Sequence, residues 1–290
     1  MKKSLIAALA FGTLLPLGLA LAQKAPINVA GDFKTPESIL VDAKRDEYLV
    51  TNINGNPTEK DNNGFISRVA PDGKISELKW LEGGKNGVTL NAPKGMALVG
   101  NTLYVADLDV VRVFNRSTKR SLGAIAVPGA TFLNDLSSDK AGNVYVSDSG
   151  LTPEFKPSGS AAVYKISLSR KVTQIAKGDA LALPNGLFVA ANGALVVAPF
   201  GSKDVYNLSA DGKQSTLATL PGGSLDGIEF FDGAYYVSSW ETSSVYKIKD
   251  GAISVVIDKV PSPADIGIDA KRGHLLIPVF NENRLIFQPL

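Results

Sequence analysis

The feature that most constrains this chain is an internal repeat. Six successive segments share one pattern, in which a small residue, an aliphatic anchor and a short apolar strand are followed by a turn and a second strand. The first strands read PESILVD, APKGMALV, FLNDLSSD, LPNGLFVA, SLDGIEFF and PADIGID, with anchors at Ile39, Met96, Leu136, Leu187, Ile228 and Ile266. The anchors recur every 38 to 57 residues, close to the ~40–50 residues of a four-stranded propeller blade.

The repeat predicts an all-β fold, a six-bladed β-propeller of four-stranded blades. The strands alternate apolar and polar residues and are rich in Val, Ile and Tyr. The last segment supplies only three strands before the sequence reaches Leu290. Because an open ring would leave two unpaired sheet edges, we expect Ile27–Ala30 to close the last blade as its fourth strand.

The start of the sequence has the layout of a secretory signal peptide. Lys2 and Lys3 precede an uncharged run, Ser4–Ala22, that ends in a small-x-small cleavage pattern. The alternative is a membrane anchor, which proline and glycine within the run disfavour. We therefore expect a signal peptide at 1–22, a propeller domain at 23–290, a periplasmic or secreted protein and no stable membrane insertion after cleavage.

Composition excludes several classes of function. The 30 basic residues nearly balance the 28 acidic ones, whereas a nucleic-acid binder normally carries a basic excess. The chain has no cysteine, which excludes disulfide scaffolds, thiol catalysis and zinc–thiolate sites. A small-molecule substrate is the expected partner, and protein partners stay open.

A ring of polar residues stands two positions before the anchors. In order it comprises Glu37, Lys94, Asn134, Asn185, Asp226 and Ala264. Equivalent positions of the blades lie at equal distance from the axis, so carboxylate and amide oxygens would converge there. Such oxygens favour a divalent cation, above all Ca²⁺, with Mn²⁺, Mg²⁺ and Zn²⁺ as alternatives. The competing interpretation is that Asn185-Gly186 and Asp226-Gly227 are ordinary turn residues.

The same segments resemble the senescence-marker-protein/gluconolactonase family, the regucalcin-like lactonases. The matching motifs are Glu37 five residues before Asp42, Asn134-Asp135 followed by Asp139, Asn185-Gly186-Leu187 and Asp226-Gly227. The resemblance implies a six-bladed propeller in which Glu37, Asn185 and Asp226 bind a divalent metal. It also implies that Asn134 lies close to the metal and the substrate, and we count it with the ligands.

The resemblance implies hydrolysis of a lactone or a related ester. In this hypothesis Asp226 is the general base, Asn134 orients substrate or oxyanion, and Lys94 adds positive charge. Alternatively, Lys94 has only a structural role and forms a salt bridge to Glu37 or Asp226. The sugar-lactone enzymes of the family carry an arginine where this chain has Phe132, so specificity for aldonolactones is not implied.

Two other functions remain open. One is a non-enzymatic binding propeller with a structural metal, and the other is a strictosidine-synthase-like enzyme with a different reaction. His274, the single histidine, is expected on a strand surface rather than at the site.

Further expectations concern loops and single side chains. The loops 54–64 and 149–160 are expected to cover the site. Trp80 and Trp240 are expected to pack between blades, and Arg116 to lie on a solvated outer edge.

Overall fold

The computed structural model describes residues 25–190 and 192–290, and the predicted signal peptide lies outside them. The described strands form six four-stranded antiparallel sheets, which confirms the six-bladed propeller. In the first five sheets the strands follow chain order from the innermost to the outermost. Among the described residues no helix has the length and apolar character needed to cross a membrane.

The first three blades occupy the N-terminal half of the described chain. The strands of the first blade are Pro36–Asp42, Glu47–Asn52, Phe65–Val69 and Ile75–Glu82. Those of the second are Pro93–Val99, Thr102–Asp107, Val110–Asn115 and Ser121–Ala126. Those of the third are Leu133–Ser138, Val144–Asp148, Ala162–Ile166 and Val172–Lys177.

The last three blades occupy the C-terminal half of the described chain, together with one strand from near its start. The strands of the fourth blade are Pro184–Val189, Leu195–Pro199, Asp204–Leu208 and Gln214–Thr219. Those of the fifth are Leu225–Phe231, Ala234–Ser239, Ser244–Lys249 and Ala252–Ile257. The sixth contains Gly267–Asp269, His274–Val279, Arg284–Pro289 and Ile27–Ala30. Short 3₁₀ turns span Asp179–Leu181 and Phe280–Glu282.

The ring closes as predicted. Ile27–Ala30 pairs antiparallel with Arg284–Pro289, with Ile27 opposite Phe287. Val29 and Phe287 pack in one buried cluster with Ile39 and Tyr48 of the first blade. Both ends of the described chain therefore contribute to one apolar core, and the closure adds buried apolar area at about 25 cal/mol per Å².

The inner strand of the sixth blade is shorter than the repeat suggests. Its regular pairing covers only Gly267–Asp269. Just before it, Asp265 pairs with the first blade, because its N–H donates to the oxygen of Glu37 at 2.9 Å and its oxygen accepts from Ile39 at 3.3 Å. Backbone bonds between blades thus replace bonds within the blade at the point where the ring joins.

The apolar core lies between neighbouring blades. Leu49 and Ile66 of the first blade pack with Leu103 and Phe114 of the second, and Trp80 belongs to the same buried cluster. The expected position of Trp80 between blades is therefore confirmed.

The expected exposure of Arg116 is wrong. Its side chain is 3% exposed, and Nε lies 3.0 Å from Asp42 Oδ2. It also pairs with Glu47, and its guanidinium lies 4.3 Å from the ring of Trp80. The pattern of neighbouring positive charges predicted a solvated edge, but carboxylates of the adjacent blade make burial possible by pairing with this cation.

Candidate functional site

The polar ring residues lie at breaks in the pairing of five inner strands. The breaks fall between Pro36 and Ile39, Pro93 and Met96, Leu133 and Leu136, Pro184 and Gly186, and Leu225 and Ile228. An irregularity of this kind bends the strand locally and re-aims a side chain. The same local irregularity, repeated around the axis, turns the side chain two positions before each anchor toward the central channel.

Serine hydroxyls hold these breaks in place. Ser147 Oγ accepts a hydrogen bond from the N–H of Asp135 at 2.9 Å and donates to the oxygen of Asn185, in the next blade, at 2.7 Å. Ser238 makes the equivalent pair of bonds between the fifth and sixth blades. The hydroxyls satisfy backbone groups that the broken pairing would leave unbonded, and they fix neighbouring ring positions relative to each other.

The glycines after Asn185 and Asp226 are required by close packing. A Cβ on Gly227 would lie 2.8 Å from Asp265 Cα, and a Cβ on Gly186 would lie 3.0 Å from the nitrogen of Ile228. Both glycines lie within strands and neither has a positive φ. The turn interpretation of the two pairs is therefore wrong, since each glycine instead lets the next inner strand approach.

One cavity brings the polar ring together. Its lining includes Glu37, Lys94, Asn134, Asn185 and Asp226, and its volume is about 350 Å³. We call this cavity the chamber. Ala264, the sixth ring position, is buried and contributes no polar group. The five polar positions predicted from the repeat thus meet at one place, at the floor of a cavity large enough for a small molecule.

Among the described residues, four oxygen atoms of this floor have no hydrogen-bond partner. They are Glu37 Oε2, Asn134 Oδ1, Asn185 Oδ1 and Asp226 Oδ1, all buried. The Asn134 amide is oriented by its Nδ2, which donates to Ser149 Oγ at 3.1 Å. Buried polar atoms are normally bonded, so a group of orphaned acceptors indicates a missing positive partner. Each predicted metal ligand supplies one of them.

The donor set fits a cation that accepts amide oxygens. Within the described residues no group of three or more carboxylate, imidazole or thiolate side chains is placed to share an ion. The ring offers two carboxylates and two amides instead, which is a set of hard oxygen donors. This composition favours Ca²⁺ over Zn²⁺.

Both ring carboxylates lie in an unfavourable electrostatic environment. Burial raises the pKa of Glu37 well above its usual range, and the charges of Asp226 and Asp265 raise it further. Burial and the charge of Asp265 likewise raise the pKa of Asp226, while the polar groups of the Trp240 and Asn185 side chains lower it. A divalent cation would compensate this accumulated negative charge.

Lys94 does not form the salt bridge that was the alternative to a role in the site. Across the part of the chain that the structure describes, no carboxylate lies within 4.0 Å of its Nζ. Nζ donates instead to the oxygens of Pro57 and Ala92, both at 3.3 Å, and lies 4.2 Å from the ring of Phe132. Burial lowers the pKa of Lys94 to about 8. The predicted position of this cation in the ring agrees with the structure, whereas the alternative, a salt bridge to Glu37 or Asp226, is wrong.

A second layer of carboxylates lies one step further along the inner strands. Burial raises the pKa of Asp265 to about 7, and burial together with the charge of Asp265 raises the pKa of Asp135. Together with Ser38 and the half-buried Glu229 they line a separate cavity of about 230 Å³. Sequence reasoning missed this layer, although Asp135 and Asp265 both stand directly before an anchor.

The wall of the chamber is built from a second ring that the sequence analysis also missed. It consists of the residue directly after each second strand: Ile53, Leu108, Ser149, Phe200, Trp240 and Phe280. Five of these line the chamber, with Leu108 as the exception. The repeat could have predicted this ring, because equivalent positions after the second strands also lie at equal distance from the axis. The wall is therefore apolar and largely aromatic, in contrast to the polar floor.

The expected packing of Trp240 between blades is wrong. Its ring is half-buried and lines the chamber, where it contacts Phe200 at 5.9 Å and Phe280 at 5.2 Å between ring centroids. Its buried indole N–H has no hydrogen-bond partner among the described residues by geometry, and it lowers the pKa of the Asp226 carboxyl. Because Trp240 follows the second strand directly, it points toward the axis rather than into the space between two sheets.

The other predictions about the surroundings of the site agree with the structure. The loop 54–64 supplies Pro57 to the chamber lining, and the loop 149–160 supplies Leu151 and Phe155. His274 begins a second strand and is not part of the chamber lining.

Comparison with known proteins shows the fold and no more. No protein-family model matches this chain, and no curated protein sequence does. A candidate gluconolactonase of known structure is 16% identical, with a TM-score of 0.68 and coverage of 92% of both chains. A catalytically inactive virginiamycin B lyase from Staphylococcus aureus, determined with quinupristin, is 14% identical, with a TM-score of 0.66 and coverage of 92% of this chain and 98% of the other. A streptogramin B lyase is 12% identical, with a TM-score of 0.60 and coverage of 92% and 86%.

Proposed function

We propose that this chain is an exported hydrolase that uses a divalent metal, with Ca²⁺ as the favoured ion, to open a lactone or a related ester. The four orphaned oxygens at the floor of the chamber are the observation that carries the proposal. The family motifs around Glu37, Asn134, Asn185 and Asp226, and the fold shared with a candidate gluconolactonase, support it. Export rests on the leader pattern at 1–22.

Glu37, Asn185, Asp226 and Asn134 would hold the ion. When bound, the ion supplies positive charge that polarises a carbonyl oxygen and lowers the pKa of an attacking water. Asp226 has a carboxylate oxygen on the chamber floor and would accept the proton of that water. The Nδ2 of Asn134 is fixed by Ser149, so its oxygen keeps a constant direction toward the ion or the substrate.

Lys94 would contribute charge rather than a proton. Its Nζ donates two of its three N–H groups to the oxygens of Pro57 and Ala92, which leaves one N–H for the substrate. A fixed donor at the chamber floor would stabilise the negative oxygen that develops when water attacks a carbonyl group. The apolar surroundings strengthen that interaction because they exclude water.

A panel of lactones and aryl esters, assayed with added Ca²⁺ and with a chelator, tests the proposal. We expect turnover that is lost in chelator and recovered on adding metal. Asp226→Asn is expected to lower turnover by about 10³-fold or more, whereas Asp250→Asn, in an exposed turn, is expected to leave it unchanged. Inactivity on every substrate by a protein that binds Ca²⁺ would favour the non-enzymatic binding propeller instead.

A second candidate is cleavage of an ester without water. It is favoured by the shared fold of virginiamycin B lyase, which matches over 92% of this chain. Reaction in ¹⁸O-labelled water separates the two reactions. Hydrolysis places one ¹⁸O atom in the product carboxylate, and elimination places none.

A further inference from the structure

Apart from Ser149, the polar side chains that line the chamber lie at its floor. Above the ring its wall is formed by apolar side chains, chiefly the rings of Phe132, Phe200, Trp240 and Phe280 with Ile53 and Leu151. A polyhydroxylated substrate would lose water at its hydroxyl groups against this wall, which costs roughly 1–3 kcal/mol for each group that finds no partner. An apolar group would gain from the same contact.

Phe132 strengthens this contrast. It is 6% exposed and its ring lies against Nζ of Lys94. An arginine at this position would place a second cation beside Lys94, whereas the uncharged ring of Phe132 packs against its Nζ. Phe132 therefore adds apolar surface to the chamber lining.

Phe155 is the residue of the rim that packing does not explain. It is 54% exposed and its φ of +58° lies in the left-handed region, where a bulky side chain is strained by about 1–2 kcal/mol. The turn is held by its N–H, which donates to the oxygen of Thr152 at 2.9 Å. Its ring makes an edge contact with Phe132 at 6.3 Å between centroids.

We propose that the chamber takes a substrate with an apolar arm, a medium-length alkyl chain or an aryl ring, which lies against the aromatic wall while Phe155 packs over it. This inference rests on the proposed function, because the arm is carried by the lactone or ester that reaches the floor. A cavity of about 350 Å³ is of the size that holds a small molecule. The exposed ring of Phe155 becomes buried when the arm is present.

A non-hydrolysable pair of probes measures the arm alone. N-octyl-2-pyrrolidone and N-methyl-2-pyrrolidone share a lactam head and differ only in the chain. The protein has two tryptophans, so Trp80→Phe leaves Trp240 in the chamber wall as the reporter. We expect the octyl probe to change Trp240 emission at concentrations at least about 100-fold lower than the methyl probe, since each buried methylene changes affinity about fourfold.

Matched phenylalanine variants test the role of Phe155. In the Trp80→Phe background, Phe155→Ala is expected to weaken binding of the octyl probe by about 5- to 10-fold. Phe230→Ala removes another exposed phenylalanine, 42% exposed and away from the chamber, and should leave binding unchanged. Unchanged affinity in Phe155→Ala would remove this residue from the proposal.

The two proposals fail separately. Equal affinity for both probes, or no response of Trp240 to either, would overturn the apolar arm even if the protein hydrolyses glucono-1,5-lactone. Tight binding of the octyl probe by a protein that hydrolyses no ester supports the arm and overturns the hydrolase. Running the titration both with Ca²⁺ and with chelator separates binding by the wall from binding by the ion.

Discussion

Replacing Glu37 with glutamine removes one of the two negative charges of the ring while keeping its shape. The side chain is 5% exposed and Oε2 has no partner. Burial and the neighbouring carboxylates raise its pKa, so the ionised form is costly in the metal-free protein. Glu37→Gln should therefore stabilise the metal-free protein at pH 8 and weaken binding of Ca²⁺.

These two effects have opposite signs, which makes the measurement decisive. At a Ca²⁺ concentration 100 times its Kd, the native protein gains about 2.7 kcal/mol. For a domain of this size 1 kcal/mol moves Tm by about 2–4 °C, so the gain corresponds to a rise of about 5–10 °C. A tenfold weaker affinity removes about 1.4 kcal/mol of that gain in the Glu37→Gln variant.

Calorimetric scans with Ca²⁺ and with chelator, together with titration calorimetry, give all of these quantities. Asp250→Asn serves as the control, because it neutralises an exposed carboxylate in an outer turn. The variant should have a higher Tm than the native protein in chelator and a smaller rise on adding Ca²⁺. An unchanged Ca²⁺ affinity and an unchanged Tm rise in Glu37→Gln would remove this residue from the ligand set.

Three further predictions concern the architecture around the ring. Gly227→Ala should destabilise the protein by about 3 kcal/mol or more in urea unfolding, because the new Cβ would meet the backbone at Asp265; a loss below about 1 kcal/mol would contradict the close approach. Ser147→Ala leaves two backbone groups without a hydrogen bond, so it should lower the free energy of unfolding by about 1–3 kcal/mol and weaken Ca²⁺ binding. Ser169→Ala, in an exposed turn, is the control and should change neither quantity. Burial raises the pKa of Asp265 to about 7, whereas the same carboxyl ionises at about pH 4 in the unfolded chain. The metal-free protein should therefore lose stability as pH rises from about 4 to 7, by up to about 1.4 kcal/mol per pH unit from this group. Asp265→Asn should make this loss smaller, and an equal loss in that variant would refute the assignment.

The sequence was sufficient for the blades because their information is local and repeated. Strands that alternate apolar and polar residues were predictable for each segment, and the closing role of Ile27–Ala30 followed from the need to pair the last blade. The ring was predictable for the same reason, since equivalent positions in a repeat occupy equivalent places around the axis. The second ring, which contains Trp240, follows from the same equivalence of positions. It was not predicted because only the first strand of each blade was compared.

Other features depended on contacts between distant segments. Neighbouring positive charges made Arg116 look exposed, and only the carboxylates of the first blade, Asp42 and Glu47, explain its burial. Asp265 gave no sign that it pairs with the first blade. A buried charge or a shared backbone bond depends on which blade lies alongside, and that is set by closure of the ring.

The sequence by itself determined which residues face the axis: a fixed repeat and an alternating strand pattern assign a side chain to the channel in each blade. Only the tertiary structure decided what that channel is. Among the described residues it left four oxygens of one cavity without hydrogen-bond partners, brought aromatic rings from separate blades to the lining of that cavity, and left the ring of Phe155 exposed beside it. The physical reason is that the local strand pattern sets the direction in which each side chain points. Desolvation and unmet hydrogen bonds, by contrast, arise only when the blades have closed around a common axis.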